Sequence, residues 1–339
     1  MERSETPTDS TRVRYRDVDV ARGLAITLVV VGHLMGGGAG GARSAGNEWY
    51  QVFHDHLYSF HMAFFFYLSG YVTFLPKEIQ WRRRLASVVG RLVPAYFLFA
   101  LIVLAAKMMA GTLMHVDRPV GGFADEITRL VFYPTESYVS FLWFIIVFLQ
   151  IMLVAPVLLL LTGHRLWLAI GVAAVLHLLV THGGVTKIFA LHQLCRYLLF
   201  FLLGAVGVRW RDRANPWLER HWLALCAVLL AVLIWVPAPQ LPTIAALAAL
   251  PALTAVALQL ERSRLAPLLA VLGAASLTIY LMNTLAMGLV KGIVLKTVGW
   301  DGLRFFAVAP IMLAAGLWLP IVFQQNVLAR SRVLDRMTR

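Results

Sequence analysis

What most constrains this chain is the recurrence of apolar runs of bilayer-spanning length. They fall near residues 18–36, 57–75, 92–110, 140–161, 166–182, 187–208, 222–237, 242–260, 268–290 and 305–325. A hydrocarbon core about 30 Å thick calls for roughly 20 apolar residues per helix. Backbone groups inside lipid must be paired within the segment, so such runs form helices. The predicted fold class is all-α: a polytopic membrane protein of about ten transmembrane helices. Composition agrees, with 60% of the 339 residues hydrophobic and 14% charged, against about half and a quarter in soluble domains.

The net charge of +13 could mark a nucleic-acid binder. Here the basic residues lie in short clusters between apolar runs, which is the positive-inside pattern. With the N-terminus inside, 21 Lys and Arg fall in cytoplasmic segments and eight in outer loops. Both termini are then cytoplasmic, and no nucleic-acid partner is expected. Residues 1–16 read as a disordered cytoplasmic tail, 17–329 as the transmembrane domain and 330–339 as a basic cytoplasmic tail. The first run is followed by small residues from Gly36 to Ala42, yet it reads as a retained span and not a cleaved signal. The longest outer loop is about 111–139, with Asp117, Asp125, Glu126 and Glu136. Cys195 and Cys226 lie in apolar stretches and are expected to be unpaired.

Charged and titratable groups inside lipid are costly and point to function. The first span holds Asp19, Arg22 and His33. Eleven residues turn a helix by ~1100°, so Arg22 and His33 share a face within about 20° and stand about 16 Å apart along the axis. Arg22 falls at the cytoplasmic interface and His33 in the outer leaflet. Each alone has a structural reading, as an interface anchor or a packing hydrogen bond. Aligned on one face, with Asp19 beside Arg22, they favour function.

The second span opens Ser59-Phe60-His61-Met62 and runs inward, so His61 approaches the level of His33. His54 and His56 precede it, but no fixed metal-ligand spacing is present and no metal is expected. Gly70 and Ser69 read as close-packing positions. The run Trp81-Arg82-Arg83-Arg84, followed by Arg91, suits an interfacial helix on anionic lipid. It equally suits a polyphosphate, whose oxygens fit guanidinium forks. Other deep polar residues are His177, His192, Gln193, Arg196, Tyr280 and Asn283. His192, Gln193, Arg196 and Asn283 are expected to line one outer cavity with His33 and His61. Arg196 is expected to face water there or to pair with an acidic loop residue such as Glu136.

Taken in order, these motifs resemble the membrane acyltransferase-3 family. The first is Asp19-x-Ala21-Arg22-Gly23 leading to Val29-Val30-x-Gly32-His33. Next come Phe60-His61-Met62, Phe66-Tyr67-Leu68-Ser69-Gly70-Tyr71 and Arg91-Leu92-Val93-Pro94-x-Tyr96. Leu142-Trp143-Phe144, Phe200-Phe201-Leu202-Leu203-Gly204 and Ser276-Leu277-x-Ile279-Tyr280-Leu281 complete the set. The resemblance covers nearly the whole chain and extends to the branch containing fucose 4-O-acetylase-like proteins. It implies a ten-helix bundle that moves acyl groups, usually acetyl from acetyl-CoA, to hydroxyls of sugars, envelope glycans or antibiotics. The family's proposed catalytic histidine corresponds to His33 and its arginine to Arg22. One position departs. The Ser-x-x-Ile-Tyr-Leu motif is often followed two residues on by histidine, and here that residue is Asn283.

The expected activity is therefore O-acylation by a multi-pass protein of the inner (cytoplasmic) cell membrane. Acyl-CoA, acetyl-CoA above all, would be held by its phosphates at Arg22, Arg84 or Arg91. Its arm would climb through a passage about 16 Å long to His33, a general base worth ~10²–10⁴-fold in rate. A hydroxyl-bearing glycan or small-molecule acceptor would enter from outside and meet His61, Trp143, Arg196 and Asn283. Membrane lipids are the remaining expected partners. The alternative from another class is a transporter or flippase of a glycan or lipid-linked intermediate. The lack of two repeated halves with broken helices weighs against it.

Overall fold

A computed structural model describes residues 15–34, 48–110, 122–237, 240–297 and 302–338. Residues 1–14 of the tail expected at 1–16, the small residues Gly36 to Ala42 and the loop residue Asp117 lie outside them, while Arg16 begins the first helix. Among the described residues the chain is almost wholly helical, without strands. The helices are α1 (Arg16–His33), α2 (Glu48–Phe74), α3 (Trp81–Ala110), α4 (Phe123–Phe132), α5 (Trp143–Leu161), α6 (Leu166–Thr181) and α7 (Leu191–Arg209). They continue as α8 (Arg211–Arg220), α9 (Trp222–Trp235), α10 (Leu241–Glu261), α11 (Ala266–Ala274), α12 (Ser276–Thr297), α13 (Arg304–Asn326) and α14 (Arg332–Thr338).

Among the described residues, six helical stretches are long and apolar enough to cross a membrane: Trp81–Met108, Ser140–Leu161, Ile188–Arg209, Leu241–Glu261, Ser276–Val294 and Arg304–Arg330. The pair α8–α9, bent by 80°, supplies a further candidate, and α6 is apolar but shorter. The chain is a multi-pass membrane protein. Helix α1 falls outside the six because Arg16, Asp17, Asp19 and Arg22 crowd its first two turns.

The helices meet through small residues where backbones must approach closely. A Cβ on Gly23 would strike the Leu269 carbonyl, and one on Gly273 would strike the Asp19 carbonyl. The crossing of α1 and α11 thus needs both glycines. Gly70 against Phe201 and Gly204 against Tyr67 repeat the device between α2 and α7. Gly70 is therefore the packing position that its sequence context suggests. Its neighbour Ser69 instead turns its hydroxyl back onto the Phe65 carbonyl at 2.9 Å.

Four local expectations change. The arginine run does not form a separate interfacial helix, because α3 continues unbroken from Trp81 past Pro94. The loop expected on the outside contains α4, whose Leu130 carbonyl accepts the Tyr96 hydroxyl at 2.8 Å. The span expected at 268–290 is two helices, α11 and α12, parted at Ala275 (ψ 8°) where Gly273 holds α11 hard against α1. The last residues form the docked helix α14, whose Thr338 carbonyl accepts the buried Thr278 hydroxyl at 2.8 Å.

Candidate functional site

The site is assembled from α1, α12 and α2. Helices α1 and α12 touch at two polar points. Near the start of α1, Arg22 Nη2 donates to Ser276 Oγ at 2.8 Å, with Asp19 as its electrostatic neighbour. At the end of α1, His33 Nδ1 lies 2.8 Å from Asn283 Oδ1. Asn283 is fully buried, and its Nδ2 donates to the carbonyls of Ile279 (2.8 Å) and Tyr280 (2.9 Å). Those two acceptors settle the chemistry. Carbonyls only accept, so the amide nitrogen must face them and Oδ1 must face the imidazole. An amide oxygen also only accepts, so His33 Nδ1 carries the hydrogen. Nε2 of a neutral ring is then left with its lone pair, which is the form a general base requires.

Helix α2 closes the site beside the end of α1. Tyr50 donates to the Val31 carbonyl at 2.6 Å, which also accepts the Leu34 N–H at the end of α1. Tyr58 lies over Gly32, where any larger residue would meet its ring. A column runs down α2, with His54 stacked on Tyr58 at 3.9 Å and Tyr58 edge-on to His61 at 4.7 Å. His33, His54 and His61 are electrostatic neighbours. His61 is 2% exposed, and its Nδ1 donates to the Leu57 carbonyl at 2.8 Å.

An aromatic wall leads away from His33. Tyr280 donates to the Phe141 carbonyl and meets Phe144 edge-on at 5.4 Å. Phe144 contacts Phe66, and Tyr197 stacks on both Phe66 (4.7 Å) and Trp143 (5.4 Å). Arg196, next in chain to Tyr197, belongs to a second polar centre. There His177 Nδ1 donates to the Arg196 carbonyl at 2.8 Å, and Lys187 pairs with Glu136 at 3.0 Å. His192 is an electrostatic neighbour of Arg196, Lys187 and Glu136. The turn entering α7 holds two consecutive non-glycine residues in the left-handed region, Phe189 (φ 51°) and Ala190 (φ 58°). Such conformations persist only where the surroundings enforce them, at about 1–3 kcal/mol each.

Several expected roles are therefore redistributed. Asn283 joins His33, and both polar atoms of its side chain have partners within the protein. His61 is near His33 but buried under Tyr58. Glu136 is taken by Lys187, not by Arg196. Arg84 spends Nη1 and Nη2 on the carbonyls of Thr73 and Val72, both at 3.0 Å, and so caps α2. The open passage from Arg22 to His33 is not found along their shared face, since Ile26 is fully buried and Val29 is 2% exposed. Ser276 has a role that the resemblance leaves unassigned. Its signal is the seven-residue spacing to Asn283, two helical turns on one face of α12. Among the described residues no group of three metal-ligating side chains occurs, and both cysteines are free.

Residues 15–324 match the family model described as an acyltransferase domain. The chain belongs to the acyltransferase-3 family. That membership makes it a membrane acyltransferase, and the match takes in His33, Asn283, Arg22 and Ser276 alike. Helix α14 lies beyond the matched residues. No curated protein and no solved structure matches the chain.

Proposed function

We propose that this acyltransferase moves an acetyl or other short acyl group from acyl-CoA to a hydroxyl of a sugar, envelope glycan or small molecule, with His33 as general base. The observation that carries the reading is the bond between His33 and Asn283, because it leaves Nε2 bare. In the reaction Nε2 takes the proton of the acceptor hydroxyl as its oxygen attacks the thioester carbonyl. The carbon–sulfur bond then breaks, and the sulfur leaves with the proton returned from Nε2. The products are an acyl ester and free CoA, and the histidine ends as it began.

The donor is assigned to the cytoplasmic side, where Arg22 and Arg91 would meet its phosphates. Arg84, with its terminal nitrogens occupied, adds positive potential there and no free fork. Ile26 and Val29 close the direct line to His33, so delivery of the thioester requires the seam between α1 and α12 to part. The acceptor is assigned to the outer side, toward Trp143 and Arg196. The topology in this reading has ten spans, α1 and α2 included, with both termini cytoplasmic in the inner membrane. The branch containing fucose 4-O-acetylase-like proteins remains the proposed relationship within the family.

Purified protein supplied with labelled acetyl-CoA tests the mechanism. CoA release should fall by ~10²–10⁴-fold in His33→Ala. Release at the wild-type rate in that variant would remove His33 from the chemistry.

A further inference from the structure

We propose that the cluster of unpartnered polar atoms where α5 meets the turn entering α7 is the acceptor subsite of this enzyme, suited to a neutral polyhydroxylated ligand. The proposal rests on the transferase reading above. Gln150 of α5 donates through Nε2 to the Phe189 carbonyl at 2.6 Å, which fixes the amide, and its Oε1 is buried without a hydrogen-bond partner. On the first turn of α7, Gln193 Oε1 and His192 Nδ1 are also buried without partners. Buried polar atoms in folded proteins nearly always find a partner. Three left over around one turn, itself held in the left-handed conformation at Phe189 and Ala190, mark a place prepared for something else.

The chemistry of the unused atoms describes the ligand. The Gln150 oxygen, its amide fixed by the Nε2 bond to Phe189, only accepts, so the ligand must donate. Arg196, an electrostatic neighbour of His192, only donates, so the ligand must also accept. A cation would be repelled by Arg196, and an anion would leave the Gln150 oxygen unmet. Hydroxyl groups both donate and accept. Phe189, whose carbonyl holds Gln150, and Phe132 are exposed and stand 5.3 Å apart. They offer apolar surface to the carbon–hydrogen face of a sugar ring. The packed rings of Tyr197, Phe66, Phe144 and Tyr280 lie between this cluster and the His33–Asn283 contact. That separation suits an acceptor longer than a single sugar, bound here and acylated at His33.

The test uses the full-length protein in detergent, labelled acetyl-CoA, and polysaccharide extracted from the source cells as the acceptor probe. Gln193→Leu should fold, since it removes an unpartnered buried oxygen; Gln150→Leu also gives up the bond to the Phe189 carbonyl and is read beside its unfolding midpoint. Each should raise the half-saturating polysaccharide concentration about ten-fold, the loss of one hydrogen bond, at an unchanged maximal rate. Gln193→Asn withdraws the amide by one methylene and gives the same reading if a Leu variant does not fold. An unchanged half-saturating concentration overturns the subsite, as does a fall in maximal rate alone. CoA release into water with no stimulation by polysaccharide overturns it while leaving the transferase intact. No CoA release under any condition overturns the transferase reading itself.

Discussion

His33 and Asn283, 250 residues apart in the chain, meet at 2.8 Å through Nδ1 and Oδ1. The contact aims the imidazole and selects its tautomer, as partners of functional histidines do elsewhere. Asn283→Leu keeps approximate volume and abolishes the acceptor, so both tautomers become available and the ring is free to turn. We expect kcat to fall about 10–100-fold, on the scale of lost orienting partners, with KM for acetyl-CoA little changed. Asn283→His restores a group able to accept from Nδ1 and matches the pattern common in the family. It should recover most of the lost rate, measured as CoA release.

Arg84 separates a structural from a donor-binding role. Its guanidinium holds the Val72 and Thr73 carbonyls at the end of α2. Arg84→Met leaves both without that donor and should cost about 1.5–3 kcal/mol, read as a lower unfolding midpoint in detergent. KM for acetyl-CoA should stay within a few-fold of wild type. A large rise in KM with an unchanged midpoint would return Arg84 to the donor site.

Arg22→Met makes the contrasting case. It removes a cation proposed to meet donor phosphates as well as the bond to Ser276. KM for acetyl-CoA should rise about ten-fold or more, while KM for an acetyl-pantetheine lacking the nucleotide should not. Ser276→Ala removes only the bond to Arg22 and should lower stability by roughly 1–3 kcal/mol without separating the two donors. Equal losses on both donors in Arg22→Met would make Arg22 a structural brace alone.

Much of this architecture is legible in the sequence because hydropathy and charge report directly on burial in lipid. Most apolar runs end on helices within a few residues, although α2 and α3 begin about ten residues earlier than theirs, and the spacing of Arg22 and His33 is a property of one helix. What is not legible depends on two helices at once. That Asn283 faces His33, that Arg84 reaches the end of α2 and that Lys187 takes Glu136 are outcomes of packing between distant segments. The break at Ala275 is of the same kind, since the apolar run continues through it and only the crossing with α1 ends the helix. Ile26 and Val29 look like any lipid-facing apolar residues until their neighbours show that they close the strip between Arg22 and His33. The identity of the acceptor is least legible of all, because its recognition uses side-chain atoms such as Gln150 Oε1 whose direction no spacing encodes.

The reciprocal glycines of α1 and α11 link packing to the site most tightly. Gly23 faces the backbone of Leu269, Gly273 faces the backbone of Asp19, and a Cβ on either would overlap a carbonyl oxygen. Backbone does not rotate away as a side chain does, so the helices themselves must separate. Gly23→Ala or Gly273→Ala should each cost about 1–3 kcal/mol, as overpacking does, seen as a lower unfolding midpoint in detergent. The displacement acts on Arg22, the residue next to Gly23, and through it on the alignment of α1 with α12. Because α1 also carries His33, activity should fall further than stability alone requires, even where the protein is fully folded. The double variant should cost less than the sum of the singles, since one separation of the helices relieves both overlaps. Strict additivity in the midpoints, with full activity retained below them, would show that the crossing of α1 and α11 is not what positions His33.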